Sequence, residues 1–234
     1  MANEFTRKAD ITYRRDSPFS YECHACSRCC YDKVIQLNPY EVARLARNRS
    51  IGTTEFLARF TERSGTALRR TQTGACVFLT PQGCSVHSDR PLVCRLYPLG
   101  RKVSADSEET FRQVEPHPQT EGVYGENGTV QDFLDRQGVQ PFIEAVDRYV
   151  ELTGRMVSAV HLAMNNNDVL RTDVQSIVED AGRQNVGTVP DWFDMDRVLA
   201  RFCTARHISV PSDMTEKMNL HIQAVGEQVS GSTL

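Results

Sequence analysis

The sequence predicts an α-rich α+β protein. A small cysteine-bearing domain with a hairpin spans residues 1–103, and a helical extension spans residues 104–234. Three observations predict this. Seven of the eight cysteines lie between Cys23 and Cys94. The same stretch holds a turn-punctuated extended pattern from Ala75 to His87. From Thr129 onward, helix starts and apolar stripes succeed one another.

Composition narrows the function classes. An apolar fraction of 40% and a charged fraction of 24% are close to ordinary globular values. A formal charge of −3 provides no basic field for nucleic acid and no polybasic tract for a membrane surface. Residues 1–20 read as a polar lead-in, with only Phe5, Ile11, Tyr13 and Phe19 to pack, and without the apolar core of a signal peptide. No run of apolar residues reaches the length of a membrane span. The expectation is a cytoplasmic protein. There disulfides are disfavoured, and clustered cysteines read as metal or redox sites.

The densest cluster is Cys23-His24-Ala25-Cys26-Ser27-Arg28-Cys29-Cys30, a C-x2-C-x2-C-C pattern. Thiolates so close repel one another and oxidise readily, and a metal both deprotonates and neutralises them. On a helix, Cys23, Cys26 and Cys30 would share one stripe with Cys29 beside it. In a loop, the x2 spacing provides the chelate bite of zinc and iron–sulfur sites. The alternatives are a pair of disulfides or a run of buried thiols. The compartment and the odd number of cysteines, seven between residues 23 and 94, both argue against disulfide pairing.

The other elements follow in order. Val34 to Leu37 is a short apolar run, a strand or a lining for the site. Asn38-Pro39-Tyr40-Glu41 combines an N-cap, a proline at the first helical position and a capping glutamate, and Val42, Leu45 and Ala46 then form an apolar face. A second helix opens at Thr53, with Phe56, Leu57 and Phe60 inward. The hairpin turns at Thr80-Pro81-Gln82-Gly83. Continued in register from there, it sets Leu79 opposite Cys84 and Cys76 opposite His87, with Cys84 on the other face from Cys76 unless a bulge intervenes.

A short helix, Leu92 to about Leu96, has Pro91 in its first turn and carries Cys94. Four thiolates on a zinc dication or an oxidised four-iron cluster hold a net charge of about −2, which Arg28, Arg90 and Arg95 are placed to offset. Residues 103–128 read as a long connection with a short strand around Phe111, in which His117 is an exposed loop histidine. Thr129 to Asp132 resembles a capping box before Phe133 and Leu134.

A longer helix from Pro141 keeps Phe142, Val146, Tyr149, Val150, Val157, Val160 and Met164 in one stripe, with Gly154 a candidate bend. Leu170, Val174, Ile177 and Val178 suggest a further short helix. Asp194 caps a helix bearing Val198, Leu199, Phe202 and Cys203. Asp213 with Glu216 caps the last, with Met218, His221, Ile222 and Val225 inward. Cys203, on an apolar face, reads as a packing residue.

Two ligand schemes are open from spacing. One all-cysteine site and one with three cysteines plus His87 would form two tetrahedral centres. A single [4Fe–4S] cluster would use four cysteines and leave three to line it, hold a second metal or resolve oxidised thiols.

Four blocks then carry a resemblance: Cys23-x2-Cys26-x2-Cys29-Cys30, Gly74-Ala75-Cys76-Val77-Phe78-Leu79, Gly83-Cys84-Ser85-Val86 and Arg90-Pro91-Leu92-Val93-Cys94-Arg95-Leu96-Tyr97-Pro98. Their order resembles the CxxCxxCC (YkgJ-type) family of zinc- or iron-chelating domains. The resemblance implies metal chelation through Cys23, Cys26, Cys29, Cys30, Cys76, Cys84 and Cys94, while His87 falls where relatives often carry an aromatic. A similar cysteine module occurs in flagellin lysine N-methylases, which are iron–sulfur enzymes.

The expected function is that of a cytoplasmic cysteine-cluster protein holding an iron–sulfur cluster or iron for electron transfer, metal handling or redox-assisted modification. A zinc-stapled interaction module and a methylase-like enzyme are the alternatives. The expected partners are a metal ion or cluster and a protein partner or substrate, with no nucleic acid and no membrane.

Overall fold

The computed structural model describes residues 11–166 and 189–229. Two compact units interleave in sequence: residues 1–35 with 69–143, and residues 36–68 with 144–234. Within the described residues the fold is α+β and rich in helix, with small antiparallel sheets.

The first unit contains three small antiparallel sheets among the described residues. Strand β1 (Thr12–Tyr13) pairs with β8 (Glu109–Gln113), which pairs on its other side with β7 (Leu99–Val103). Strand β2 (Pro18–Glu22) pairs antiparallel with β9 (Val123–Thr129), setting Tyr21 opposite Tyr124. The supposed lead-in and the supposed long connection thus form this ribbon together. Neither alternates apolar and polar residues cleanly, because each buries little: β9 is largely exposed, and Phe19 is the one buried residue of β2.

Phe19 meets Phe133 edge to face at 5.3 Å between ring centroids. Phe133 and Leu134 lie on helix α4 (Val130–Gln137), and the Thr129–Asp132 capping box read from sequence is present. Gly138 ends that helix in the left-handed conformation. Below it, helix α3 (Leu92–Leu96) starts at Pro91, which stands as the N-cap rather than inside the first turn.

The second unit is helical. Helix α1 (Pro39–Asn48) has the full capping box, with the Glu41 N–H donating to Asn38 and Glu41 accepting from the Asn38 N–H, each at 3.0 Å. Helix α2 (Thr53–Phe60) buries Phe56 and Leu57, with Phe60 half-buried, and leads into a short hairpin of β3 (Thr61–Glu62) and β4 (Ala67–Leu68). The Val34–Leu37 run forms no strand: it makes one bridge, Gln36 to Ala67, and buries Ile35 and Leu37.

Helix α5 (Gln140–Asn166) buries Phe142, Ile143, Ala145, Tyr149 and Leu152. Val150 and Val157 are exposed, so the predicted stripe is corrected: the buried face is set by Tyr149 and Leu152, roughly one position round the helix. The side chains of Val160 and Met164, and the segment from Leu170 to Val178, lie outside the described residues.

Helices α6 (Met195–Arg206) and α7 (Met214–Val229) bury Val198, Leu199, Phe202 and Cys203, and Met218, His221, Ile222 and Val225, as the periodicity predicts. The N-termini of α2 and α6 cap each other. Thr53 Oγ1 and Thr54 Oγ1 each donate to the Asp194 carboxylate at 2.5 Å. The Thr53 N–H donates to Asp196 at 2.8 Å, and the Asp196 N–H donates to Thr53 Oγ1 at 3.0 Å. Orphan amide donors at two helix starts, far apart in sequence, are thereby satisfied.

Candidate metal centre

The Cys23–Cys30 segment is a loop rather than a helix, so the helical cysteine stripe does not form. Ala25 and Ser27 both take positive φ, at 54° and 60°, and the chain closes in a 3₁₀ turn over Arg28–Cys30. The Cys30 N–H donates to the Ser27 carbonyl at 3.0 Å.

A second segment is stitched to this loop by main-chain bonds. The Cys76 N–H donates to the Cys30 carbonyl at 2.9 Å, and the Asp32 N–H donates to the Gly74 carbonyl at 3.0 Å. Residues 69–77 form their own tight hairpin, with Arg70 bridged to Cys76 and Gly74 at φ +80°. Gly74 is required there twice over. A side chain at positive φ is strained, and a Cβ would stand 2.2 Å from Asp32 Oδ1.

The predicted Leu79–Cys84 pairing is present, between strands β5 (Leu79–Thr80) and β6 (Gly83–Cys84). Its extension to Cys76 and His87 is not. The Leu79 N–H donates back to the Cys76 carbonyl at 2.9 Å, turning the chain, while His87 begins a 3₁₀ turn to Asp89. Cys76 therefore pairs with Arg70 in place of His87, and its N–H is satisfied by the Cys30 carbonyl.

The thiols meet around Cys30. Its S–H donates to Cys29, which raises the Cys30 pKa strongly together with burial and the neighbouring Cys29, Cys94 and Cys76. The same bond, outweighing burial and helped by Lys33, lowers Cys29 to about 7. Burial, with a smaller push from Cys84, raises Cys76. Loop, hairpin and helix α3 thus each bring a thiol within electrostatic reach of Cys30: Cys29, Cys76 and Cys94. Cys26 is half-buried and Cys23 exposed. Cys203 lies buried on α6, as its apolar face predicts.

The arginines are used differently from the charge-offsetting role expected of them. Arg28 is exposed. Arg95 is buried and donates to three main-chain carbonyls, of Arg90, Gln137 and Ser88, with its guanidinium 4.1 Å from the Phe142 ring centroid. It is a strut between α3 and α4. Arg90 donates to the His87 carbonyl at 2.6 Å, to His87 Nδ1 at 3.2 Å and to Gln137 at 2.6 Å.

An arginine can only donate, so Nδ1 of neutral His87 accepts and its proton sits on Nε2. In this arrangement neither nitrogen of His87 presents a free lone pair. Burial, then Arg90 and Arg95, push its pKa down.

Among the described residues, no three His, Cys, Asp or Glu side chains form a ready-made ligand set for one metal ion. The donor chemistry nevertheless suits a borderline or soft metal: sulfur only at the centre, one thiol already close to ionising, and unpaired cysteines throughout. Residues missed from sequence are Tyr21, Tyr97 and Tyr124, whose pKa values are all raised first by burial and further by Cys29. Tyr97 carried a signal, three residues after Cys94; Tyr124 carried none.

Residues 22–117 match the family model CxxCxxCC, described as "Putative zinc- or iron-chelating domain". No curated protein and no solved structure matches the chain.

Proposed function

With residues 22–117 matching the CxxCxxCC model of zinc- or iron-chelating domains, we propose that this segment is an iron centre. It would hold an iron–sulfur cluster or iron on cysteine thiolates and serve electron transfer, metal handling or redox-assisted modification in the cytoplasm. The observation that carries the reading is the Cys76 N–H to Cys30 carbonyl bond. It joins two cysteine segments side by side, where Cys29, Cys94 and Cys76 surround Cys30 electrostatically.

Cys29, Cys30, Cys76 and Cys94 are the proposed ligands of the centre. Cys23, Cys26 and Cys84 are the surplus thiols, available to a second metal or to resolve oxidised sulfur. His87 would join only by giving up its bond with Arg90. More thiols than one closed tetrahedral zinc site can use favours iron. A bound iron–sulfur cluster would supply one-electron chemistry. The chain's own contribution is a loop and two turns that hold the thiols and a half-buried setting that limits water.

Anaerobic purification with metal analysis and an absorption spectrum tests the proposal. A brown protein with iron, sulfide and a broad band near about 400 nm is the expected result. A colourless protein with stoichiometric zinc would replace iron by a zinc-stapled module, and a protein with no metal would end the reading.

A further inference from the structure

Of the proposed ligands, Cys94 alone sits on an α-helix, and that helix is gripped by arginines on both sides of the cysteine. Helix α3 has five residues, too few to persist without support from its surroundings. It turns Leu92, Arg95 and Leu96 inward, leaves Val93 exposed and holds Cys94 half-buried. Where the thiol stands therefore depends on what fixes the inward face.

Arg95 is the inner grip. Its Nε donates to the Arg90 carbonyl at 2.9 Å, Nη1 to the Gln137 carbonyl at 2.8 Å and Nη2 to the Ser88 carbonyl. The Phe142 ring lies 4.1 Å from the guanidinium. Gln137 ends α4, where the last carbonyls have no partner within the helix and a cation is favoured by the dipole.

Arg90 holds the other side. It donates to the Gln137 side-chain oxygen and to the His87 carbonyl, each at 2.6 Å. Both arginines thus converge on Gln137, one on its main chain and one on its side chain, with Cys94 between them in sequence. An apolar residue at 95 would pack against Phe142 but bond no carbonyl. A lysine there, a point charge on a flexible stem, lacks the planar fork that spans three acceptors.

We infer that Arg95, helped by Arg90, is a positioning residue for metal ligation by Cys94. The pair fixes α3 on the end of α4 and so sets where the Cys94 thiolate is presented. A ligand held beforehand adds more affinity than one that must be ordered on binding. The inference rests on the metal-binding reading above but is indifferent to whether iron or zinc is the native ion.

The test uses the full-length protein, metal-free, titrated anaerobically with Co²⁺ and back-titrated with a chelator. Arg95→Lys and Gln137→Ala are each made alone and together with Cys94→Ser. Gln137→Ala releases Arg90 and spares the buried guanidinium, so it decides the matter if Arg95→Lys does not fold. Arg95→Lys should bind Co²⁺ about 10-fold or more weakly, the scale of a lost support behind a ligand, and Gln137→Ala should show a smaller loss. At saturating Co²⁺ the thiolate-to-cobalt charge-transfer band of Arg95→Lys should fall in intensity toward that of Cys94→Ser. On the Cys94→Ser background neither change should weaken Co²⁺ binding further, because the ligand they position is gone. Losses that add in full to that of Cys94→Ser overturn the inference, since the arginine would then support the fold at large. Wild-type affinity with a full-intensity band, in every variant that folds, overturns it as well. A wild-type protein that binds no Co²⁺ overturns it together with the metal reading.

Discussion

Acidification should weaken the helical unit through one histidine, well above the range where carboxylates titrate. His221 on α7 is fully buried, and its Nε2 lies 2.8 Å from the Trp192 carbonyl. A carbonyl only accepts, so Nε2 carries the proton and Nδ1 accepts from the Tyr149 hydroxyl at 2.9 Å. The neutral imidazole is therefore satisfied on both sides. Burial pushes its pKa down from 6.5 to about 4, against smaller opposing pulls from the Trp192 carbonyl and Asp194.

Below pH 6.5 the unfolded chain binds a proton that the native state refuses, so stability falls as pH falls. The loss is about 2 kcal/mol between pH 7.5 and 5, and approaches about 3 kcal/mol near pH 4. Urea unfolding at pH 7.5, 6 and 5 measures it, followed by the fluorescence of Trp192, the sole tryptophan, whose own carbonyl takes the bond. His221→Gln should be less stable at pH 7.5 but lose the slope over this window. A wild-type midpoint that stays constant from pH 7.5 to 5, or a slope that His221→Gln retains, would refute the reasoning.

Four further outcomes follow from the packing. Cys30→Ser and Cys94→Ser should each lower bound metal per chain, since a serine hydroxyl stays protonated and is a poor ligand. Cys203→Ser should keep metal content while costing about 1–3 kcal/mol in urea unfolding, from a hydroxyl buried beside Phe202. Gly74→Ala should lose metal by disturbing the Asp32–Gly74 bond next to the Cys30–Cys76 stitch; the strained left-handed conformation costs about 1–2 kcal/mol, and metal analysis reads the result. Asp194→Ala removes the acceptor of Thr53, Thr54 and the Arg197 N–H, and should lower the urea midpoint by an amount equivalent to about 2 kcal/mol, the upper range for a lost cap.

The sequence by itself determined the local devices. The capping boxes at Asn38 and Thr129, the cap at Asp194 and the buried faces of α1, α6 and α7 are all present where the residues place them. Each depends on groups three or four positions apart, so the information sits within one turn of helix. The turn at Thr80–Gly83 was legible for the same reason, and its Leu79–Cys84 register is observed. The match of the cysteine blocks to the family model was legible because cysteine spacing is itself a local property of the sequence.

Tertiary structure alone decided the rest. Arg95, between Cys94 and Leu96, has a sequence context that suits a counter-charge; burial against Phe142 makes it a donor to carbonyls instead. Val150 and Val157 fit a helical stripe, but which edge of an apolar stripe is covered depends on what packs there, and both face solvent. The meeting of Cys30 with Cys76, of Tyr21 with Tyr124, and of Thr53 with Asp194 joins residues 46, 103 and 141 positions apart. No local preference encodes such pairs. They form because a buried main-chain or side-chain polar group must find a partner, and the partner is whatever the folded chain brings within reach.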